Sequence, residues 1–493
     1  MDEQRLYQTL KQQFGFDEFR PGQKETIQAV LNQNDVLAVL PTGAGKTLLY
    51  QLPAYLMPGS VLIVSPLISL MQDQVDRLRQ HGERQVVMLN ATLTGRSRQQ
   101  VLNRLAAYRF IFASPEILAQ PSIKHALRKC RISLLVIDEA HCISQWGPDF
   151  RPEYLLLKEV ENDLRRAARV VKTFWGRPPI LLLTATATPR VQNDILQKMG
   201  LDEKNVKRVI RSVNRPNIFL AVDQVENDQQ KRQRLAKWLH ELGGGGIIYF
   251  SSRKLANELA DWLGEMTGLE VAAYHAGISA IDRFRIQQQF MQGQLQVVCA
   301  TSAFGMGIDK DDIRYVIHYH LPGSLESYVQ EIGRAGRNQK PALALLMYSP
   351  GDEQIQRQLS QIELPSQTVV EKVQQKKLSG NALGPQAELI EFYLSHGWNY
   401  ARLTAMLKKR GRLVNQQLAA MLSYVSEKKC RRANIMRYFG ELPVDCPNCC
   451  DCHQNDWRLS DLKLPAAVNP VVNDQLDWQK RLQFLFAKES KTG

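Results

Sequence analysis

The sequence predicts an α/β protein with two successive lobes, each built on a parallel β-sheet, and a mainly helical segment after them. In the first 207 residues, short runs of Val, Ile and Leu alternate with helix-like segments, and the alternation begins again after residue 208. Continuous apolar runs of this kind are typical of strands buried on both faces of a parallel sheet. After residue 350 they give way to helical periodicity with many Gln and Lys residues.

The predicted strands give the order of the elements. They lie at 36–40, 61–64, 86–89, 110–112, 134–137 and 180–183, and then at 217–222, 246–250, 271–274, 297–300, 315–318 and 343–347. Two separate strand–helix arrays favour two lobes over one large sheet. We therefore predict lobes at 1–207 and 208–350 with a link near 205–215, a helical module at 351–455 and a tail at 456–493.

The chain carries an excess of positive charge. Its 63 Lys and Arg residues outnumber its 49 Asp and Glu residues, which gives a formal net charge of +14. This favours a polyanionic partner such as nucleic acid, although a basic enzyme with evenly spread charge gives the same total. The amino terminus does not resemble a signal peptide, and no apolar stretch reaches the roughly 18 residues that span a bilayer. We expect a cytoplasmic protein without membrane contact.

A glycine-rich turn follows the first predicted strand. Backbone N–H groups in a turn between a strand and a helix bind phosphate oxygens. Lys46 is expected to reach the β- and γ-phosphates of a nucleotide, and Thr47 to ligate Mg²⁺. Leu40 stands where the usual GxxxxGK[ST] pattern has glycine. The predicted nucleotide-binding turn consists of Thr42, Gly43, Ala44, Gly45, Lys46 and Thr47.

Two acidic residues, Asp138 and Glu139, follow the predicted strand 134–137. Ligands bind at the carboxyl ends of strands in open α/β sheets. Asp138 is therefore expected to hold Mg²⁺, and Glu139 to orient or deprotonate the attacking water. The alternative is an acidic helix start, which the helix dipole favours.

Two arginines in the second lobe, Arg334 and Arg337, are candidates for stabilising the transition state of phosphoryl transfer. Three positions apart, they would share one face of a helix. The alternative is a pair of solvated helix arginines, and Gly333 and Gly336 weigh against it because glycine weakens an ordinary helix.

Six further motifs follow one another along the chain. They are Phe16-Asp17-Glu18-Phe19-Arg20-Pro21-Gly22-Gln23, Ser65-Pro66-Leu67-Ile68-Ser69-Leu70-Met71-Gln72-Asp73-Gln74, Thr184-Ala185-Thr186-Ala187, Tyr249-Phe250-Ser251-Ser252-Arg253, Tyr274-His275-Ala276-Gly277 and Ala300-Thr301-Ser302-Ala303-Phe304-Gly305-Met306-Gly307-Ile308-Asp309-Lys310. In this order they resemble the motifs of RecQ-family DNA helicases of superfamily 2, over roughly residues 5–455. The resemblance implies two RecA-like lobes and adenine recognition by Arg20 and Gln23, with Phe16 nearby. It also implies a nucleotide contact for Asp309.

The segment 141–152 resembles the family's aromatic-rich loop, which implies that it couples single-strand binding to hydrolysis. Trp146 and Phe150 are expected to stack on bases, and Arg151 to bind phosphate or stack. The alternative is that the two aromatic side chains are buried in the core. Pro148 stands where the family usually has histidine, so that residue's role is not carried over.

Five of the eight cysteines lie between 430 and 452. In a reducing compartment such a cluster indicates metal more often than disulfides. Similarity to the family's zinc module implies that Cys430, Cys446, Cys449 and Cys452 bind Zn²⁺, and Cys450 and His453 remain possible substitutes. Four thiolates close the coordination sphere, so we expect a structural ion. The alternative is a group of reduced free thiols.

The sequence also departs from the family. Residues 384–425 resemble an insertion in the helical module, and Lys408-Lys409-Arg410-Gly411-Arg412 within it is either a phosphate-contacting patch or a solvated basic turn. The segment after Cys452 is too short for a winged helix, so we expect a short form without the usual carboxyl-terminal domains.

These features predict an ATP- and Mg²⁺-dependent DNA helicase with a structural Zn²⁺. The resemblance implies 3′-to-5′ movement on single-stranded and forked DNA, in repair or recombination. We expect a monomer that works with a single-strand-binding protein or other repair proteins, at the nucleoid if the source is bacterial. The alternatives are another superfamily 2 motor, such as an RNA helicase or a non-unwinding translocase, and a non-catalytic zinc-bearing nucleic-acid-binding protein.

Replacing Trp146 by alanine is expected to keep basal ATP binding and remove the stimulation of ATP hydrolysis by single-stranded DNA, because the stacking contact is lost. Phosphate release measured with and without single-stranded DNA checks this. Stimulation equal to that of the wild-type protein would instead indicate that Trp146 is a buried core residue.

Overall fold

The computed structural model describes residues 3–66, 68–90, 93–144, 151–170, 177–305, 310–375, 377–379, 382–384, 387–444, 446–453 and 457–465. The sequence-predicted site residues Trp146, Phe150 and Asp309 lie outside these ranges.

The first lobe is built on a seven-stranded parallel sheet with the order β3-β4-β2-β5-β6-β1-β7. Its strands are β1 Asp35–Val39, β2 Ser60–Val64, β3 Val86–Leu89, β4 Phe110–Ala113, β5 Ile132–Ile137, β6 Ile180–Thr184 and β7 Val206–Ile210. Every residue of β1, β2, β4 and β6 is buried, which is why these strands appear in the sequence as continuous apolar runs. Because β6 lies between β1 and β5, the turns that follow these three strands meet at one edge of the sheet.

Helices cover both faces of this sheet. They are α1 Glu3–Phe14, α2 Gln23–Leu31, α3 Leu48–Leu56, α4 Ile68–Gln80, α5 Gly95–Asn103, α6 Pro115–Leu118, α7 Pro121–Arg128, α8 Leu157–Val170 and α9 Pro189–Met199. The ends of α9 follow from local sequence. The Thr188 side chain accepts a hydrogen bond from the N–H of Val191 at the start, and Gly200 takes a left-handed conformation (φ 68°) at the end.

The second lobe is built on a six-stranded parallel sheet with the order β10-β11-β9-β12-β13-β8. Its strands are β8 Ile218–Gln224, β9 Gly245–Tyr249, β10 Val271–Tyr274, β11 Val297–Ala300, β12 Ile313–His318 and β13 Ala342–Tyr348. Its helices are α10 Asp228–Glu241, α11 Arg253–Thr267, α12 Ala280–Met291 and α13 Leu325–Ile332. The prediction of two parallel-sheet α/β lobes is confirmed.

A helical region follows, as the sequence predicts, with α14 Asp352–Leu359, α15 Gln367–Gln374, α16 Ala387–Ser395, α17 Tyr400–Val425 and α18 Arg431–Tyr438. The first half of α17 shares a small core with α15 and α16, against which Leu155 of the first lobe packs. The second half belongs to the core of the second lobe, where the hydroxyls of Tyr424 and Tyr328 lie 3.0 Å apart. The helix α17 therefore touches both lobes.

All twelve predicted strands are present, but the sequence analysis missed β7. Only Val206 and Val209 of β7 are buried, and charged, partly exposed residues lie between them. An edge strand of this kind has no continuous apolar run, so the criterion used for the other strands does not detect it. Because β7 extends to Ile210, the first sheet crosses the boundary predicted at 207/208, and the link to β8 spans 211–217.

Residues 457–465 run back over the second lobe. The ring of Trp457 stacks on Trp238 with centroids 5.5 Å apart and lies 5.0 Å from the ring of Phe219. Leu459, Leu462 and Leu464 join the same apolar cluster. Among the helices that the structure describes, none combines the length and apolarity that crossing a bilayer requires.

Candidate active site and metal centre

The strand order brings three predicted motifs to one edge of the first sheet. The nucleotide-binding turn follows β1, Asp138 follows β5, and Thr184 ends β6 between them. Ligands bind at this carboxyl edge in open parallel sheets. The structure thus places together residues that lie far apart in the sequence.

The turn 42–47 fits a phosphate group. Gly43 (φ 84°) and Gly45 (φ 71°) adopt left-handed conformations that favour glycine. No described residue accepts a hydrogen bond from the N–H groups of Gly43, Gly45, Lys46 and Thr47. Free N–H groups immediately before a helix, here α3, form an anion-binding site.

Arg20 and Gln23 donate hydrogen bonds to backbone carbonyls of this turn. The Gln23 side-chain amide donates to the carbonyl of Ala44 at 2.9 Å and of Gly45 at 3.2 Å, and Arg20 donates to the carbonyl of Gly43 at 2.6 Å. Phe16 is about half exposed at 53%. The side chains implied to recognise adenine therefore lie beside the phosphate turn, and adenine recognition itself stays a prediction.

Asp138 and Glu139 lie side by side, Asp138 half-buried and Glu139 buried. Burial, and then the neighbouring charge of Glu139, raise the pKa of Asp138 to about 7. Burial also acts to raise the pKa of Glu139, but the hydrogen bond from His141 and the charges of His141, Lys46 and Arg334 outweigh it and lower that pKa to about 2. Two adjacent carboxylates at the end of a strand beside the phosphate turn supply the oxygen ligands that a divalent cation prefers.

Glu139 has a strained backbone and a histidine partner. It adopts a left-handed conformation (φ 49°), which is unusual for a residue other than glycine and occurs preferentially at functional sites. Nδ1 of His141 lies 3.3 Å from a Glu139 carboxylate oxygen and 3.0 Å from the Thr184 hydroxyl. His141 therefore connects the carboxylate to the end of β6. Sequence analysis gave His141 no role, although its position two residues after Glu139 was the available signal.

Arg334 and Arg337 lie in a turn after α13, so the prediction that they share a helical face is wrong. The helix ends at Ile332, and Gly336 takes a left-handed conformation (φ 56°) in the turn. Arg334 is 5% exposed and donates to the carbonyl of Gly305. The glycines end the helix and let the chain turn, which changes the direction of both guanidinium groups.

The two lobes meet at the nucleotide-binding turn. A methyl group placed on Gly43 would lie 3.2 Å from Cγ of Arg337, and one placed on Gly333 would lie 3.3 Å from Cβ of Thr42. The charge of Arg334 acts on Glu139. Arg337 of the second lobe thus lies against the phosphate turn of the first lobe, and the charge of Arg334 reaches Glu139. The role of both arginines in phosphoryl transfer stays a prediction.

The described residues on either side of the segment 145–150 are anchored. The Ser144 hydroxyl donates to the Asp194 carboxylate at 2.7 Å. Arg151 donates to the carbonyl of Pro66 at 2.9 Å, and Pro66 belongs to the motif 65–74. The expected stacking of Trp146 and Phe150 falls outside the described residues.

Sulfur atoms of the cysteine cluster come together beside β8. Sγ of Cys430 lies 3.8 Å from Sγ of both Cys446 and Cys449. Ligand sulfurs about 3.8 Å apart are what a tetrahedral Zn²⁺ with Zn–S distances of about 2.3 Å requires. The carbonyl of Cys449 accepts from the N–H of Leu220 at 3.2 Å, so the cluster extends the sheet of the second lobe. The donor set fits Zn²⁺.

The structure and the sequence prediction differ at the fourth ligand of the zinc site. The thiol of Cys452 donates to the carbonyl of Glu427 at 3.2 Å, while Nδ1 of His453 lies 3.8 Å from Sγ of Cys449 and 3.7 Å from Sγ of Cys450. Cys430, Cys449, Cys450 and His453 form one group of possible ligands. Three predicted ligands are therefore brought together, and assignment of Cys452 stays a prediction.

A phosphate-binding turn and an acidic pair in one parallel-sheet lobe, facing arginines from a second such lobe, define a nucleoside-triphosphate-driven motor of the helicase type. Family comparisons agree. The DEAD/DEAH box helicase model matches residues 20–195, the helicase conserved C-terminal domain model matches 230–339, and the RecQ zinc-binding model matches 398–454.

The chain belongs to the RecQ family of helicases. It is 40% identical to the Bacillus subtilis protein named "Probable ATP-dependent DNA helicase RecS", over 89% of each chain. It is 38% identical to the Haemophilus influenzae "ATP-dependent DNA helicase RecQ", over 90% of this chain and 62% of that protein. The resemblance deduced from the motifs is confirmed.

Solved structures share the fold at low sequence identity. The DNA-bound DUF1998 helicase MrfA matches 73% of this chain and 53% of its own, with a TM-score of 0.58 and 21% identity. Dbp5 of S. cerevisiae, bound to RNA and ADP BeF3, matches 73% of this chain and 92% of its own, with a TM-score of 0.55 and 19% identity. These similarities show the two-lobed fold alone.

Replacing Lys46 by alanine or Glu139 by glutamine is expected to lower kcat for ATP hydrolysis by at least about a hundredfold, because a phosphate contact or the carboxylate beside the reacting water is lost. Glu139→Gln should still bind ATP, since its size and hydrogen-bonding capacity are similar. Steady-state phosphate release with single-stranded DNA checks both variants. Lys124→Ala, which removes only a surface ion pair with Glu159, is the matched control. Normal hydrolysis in either site variant would refute the assignment.

Zinc content is expected to fall from about one ion per chain to near zero in Cys430→Ser and Cys449→Ser, because serine is a poor zinc ligand. Elemental analysis of the purified proteins measures it. Cys452→Ser should also lose zinc, whereas Cys450→Ser and His453→Ala should retain it. Zinc loss in His453→Ala with retention in Cys452→Ser would reassign the fourth ligand.

Proposed function

We propose that this protein is an ATP-dependent DNA helicase that moves 3′ to 5′ on single-stranded DNA and separates duplexes in repair or recombination. The observation that carries the proposal is the contact of Arg337 and Gly333 of the second lobe with Gly43 and Thr42 of the phosphate turn. Relatives that cover most of the chain are named ATP-dependent DNA helicases, which supports DNA as the substrate.

In this proposal each residue of the first lobe has one task. Lys46 and the free N–H groups of the turn bind the nucleotide phosphates. Thr47 and Asp138 would hold Mg²⁺, which neutralises phosphate charge when it is bound. Glu139 keeps a low pKa and is therefore ionised near neutral pH, so its carboxylate can accept a hydrogen bond from the attacking water and orient it. Arg20, Gln23 and Phe16 would bind the base, and Asp309 would contact the nucleotide.

The second lobe supplies the charge that the transition state needs. Negative charge on the transferring phosphoryl group is stabilised by arginines that reach it from across the cleft. We assign this task to Arg334, whose charge acts on Glu139, and to Arg337, whose side chain packs against Gly43. Because the arginines and the phosphate turn belong to different lobes, hydrolysis would require a closed cleft, and release of product would open it. Repeated closing and opening moves bound single-stranded DNA.

DNA contacts are proposed at the edge of the first lobe and on the helical region. Trp146 and Phe150 would stack on bases and Arg151 would contact the strand. Lys408, Lys409 and Arg412 are exposed on α17, and Arg402 on the same helix stacks over the ring of Trp398 at 3.9 Å. A row of exposed cations on one rigid helix suits a phosphate backbone. The charge of Lys409 and Arg402 also lowers the pKa of Lys198 on α9, after the larger effect of burial.

The predicted division into 1–207, 208–350, 351–455 and 456–493 is proposed with one change: the first boundary moves to the residue after Ile210, where β7 ends. Zinc bound by Cys430, Cys446, Cys449 and Cys452 would hold α18 and the residues before it in place, because four thiolates leave no open coordination site. A monomer that contacts a single-strand-binding protein or other repair proteins, in the cytoplasm and at the nucleoid in a bacterial cell, completes the proposal.

The decisive experiment is an ATP-driven unwinding assay on forked duplexes and on duplexes with a 3′ or a 5′ single-stranded tail. We expect strand release from forks and 3′-tailed duplexes and none from 5′-tailed duplexes, with Glu139→Gln as the inactive control. Release from 5′-tailed duplexes alone would overturn the polarity. Hydrolysis stimulated by RNA and not by DNA would favour an RNA motor, and absence of hydrolysis would favour a non-catalytic nucleic-acid-binding protein.

A further inference from the structure

The link between the two lobes, 211–217, carries an arginine to which the function so far assigns no task. Arg215 lies between β7, the last strand of the first sheet, and β8, the first strand of the second in the chain. Its position in the sequence predicts only a connecting segment. Its hydrogen bonds place it at the nucleotide site.

The guanidinium group of Arg215 donates to four backbone carbonyls. Nη1 donates to the carbonyl of Thr42 at 3.3 Å and of Gly333 at 3.1 Å, and Nη2 donates to the carbonyl of Ala335 at 3.0 Å and of Gly336 at 2.6 Å. A guanidinium has five donors in a fixed planar arrangement, so it can hold several carbonyls in one geometry.

These carbonyls come from both sides of the cleft. Thr42 belongs to the phosphate turn of the first lobe, whereas Gly333, Ala335 and Gly336 form the turn that carries Arg334 and Arg337. One side chain thus joins the phosphate turn to the turn that carries the arginines. A shift in the second turn relative to the first would break some of these bonds.

The position of Arg215 close to Arg337 is electrostatically unfavourable, because both side chains are cations. Its pKa is lowered to about 10, first by burial and then by the neighbouring charge of Arg337. A buried cation beside another cation is costly unless hydrogen bonds compensate. Four carbonyl acceptors supply that compensation, and the same contacts set where Arg337 lies.

The zinc module fixes the backbone around Arg215. Arg432, two residues after Cys430, donates to the side-chain oxygen of Asn214 at 2.6 Å and to the carbonyl of Arg215 at 2.7 Å. The Glu441 carboxylate accepts from the N–H of Val213 at 2.8 Å. The helical module therefore binds residues 213–215 of the link, and the Arg215 side chain of the same link binds the nucleotide site.

We propose that Arg215 is a positioning residue for ATP hydrolysis: it holds the turn that carries Arg334 and Arg337 in register with the phosphate turn, and the zinc module sets its position through Arg432 and Glu441. This inference rests on the proposed function. It adds the residue that couples the helical module to the chemistry.

A purely structural role would give a different kinetic result. If Arg215 only stabilised the fold, its loss would reduce the amount of active protein and leave the kinetic constants of the folded fraction unchanged. If it positions the arginines, the phosphate turn still binds nucleotide but the transition state is less well stabilised. The loss then appears in kcat, with KM little changed.

The experiment measures DNA-stimulated ATP hydrolysis and binding of a fluorescent ATP analogue in full-length Arg215→Ala, Arg215→Lys and wild-type protein. We expect kcat to fall at least about tenfold in Arg215→Ala, with KM and nucleotide affinity within about threefold of wild type. Arg215→Lys should recover part of the loss, because an ammonium keeps fewer donors. Guanidinium ion at a non-denaturing concentration should raise the rate of Arg215→Ala and leave that of Arg215→Lys unchanged.

Arg314→Ala is the matched control, because Arg314 also donates to four acceptors, the carbonyls of Asp311, Asp312 and Pro341 and the side chain of Asn338, all within the second lobe. We expect its kcat to stay within about twofold of wild type. Wild-type kcat in Arg215→Ala, or a raised KM with unchanged kcat, would overturn the inference. So would a loss of kcat in Arg314→Ala as large as that in Arg215→Ala. Absence of hydrolysis in the wild-type protein would instead overturn the proposed function.

Discussion

The molecule is organised around two carboxylates that cannot be stable alone. Asp138 and Glu139 lie beside each other at the end of β5, where Glu139 is buried and Asp138 half-buried, so water solvates their charge poorly. Lys46 from the neighbouring turn and His141 from the same segment neutralise part of it, and Arg334 brings further positive charge from the second lobe. The acidic pair is thus one physical reason for the two lobes to face each other.

Much of the fold could be predicted from the sequence, because a strand buried on both faces of a sheet appears as a continuous run of apolar residues. The central strands contain almost only Val, Ile, Leu and Ala, and the turns after β1 and β5 carry Lys46 and Asp138. What could not be predicted depends on partners distant in the chain. The strand β7 lies half exposed at an edge of the sheet, so its polar residues interrupt the apolar run by which a buried strand is recognised. The role of Arg215 depends on carbonyl groups more than a hundred positions away in the chain.

The direction of individual side chains could not be predicted from the sequence either. The spacing of Arg334 and Arg337 suggests one helical face, but Gly333 and Gly336 end the helix and redirect both residues. In the cysteine cluster, spacing identifies a metal site. It does not decide between Cys452, whose thiol lies on the carbonyl of Glu427, and the nearby His453. Sequence position determines which residues are close, whereas rotamers and turn geometry determine which atoms meet.

The helix α17 has a mechanical consequence. Its 26 residues form a rod about 39 Å long at 1.5 Å per residue. One end is embedded in the second lobe, and the other packs with α15 and α16 in a core that, among the described residues, includes Leu155 of the first lobe. A rotation of the embedded end by about ten degrees would displace the far end by about 7 Å, and the basic residues 408–412 near the middle of the helix by about 4 Å. A small rotation of the second lobe would thus become a displacement of several ångströms along this helix.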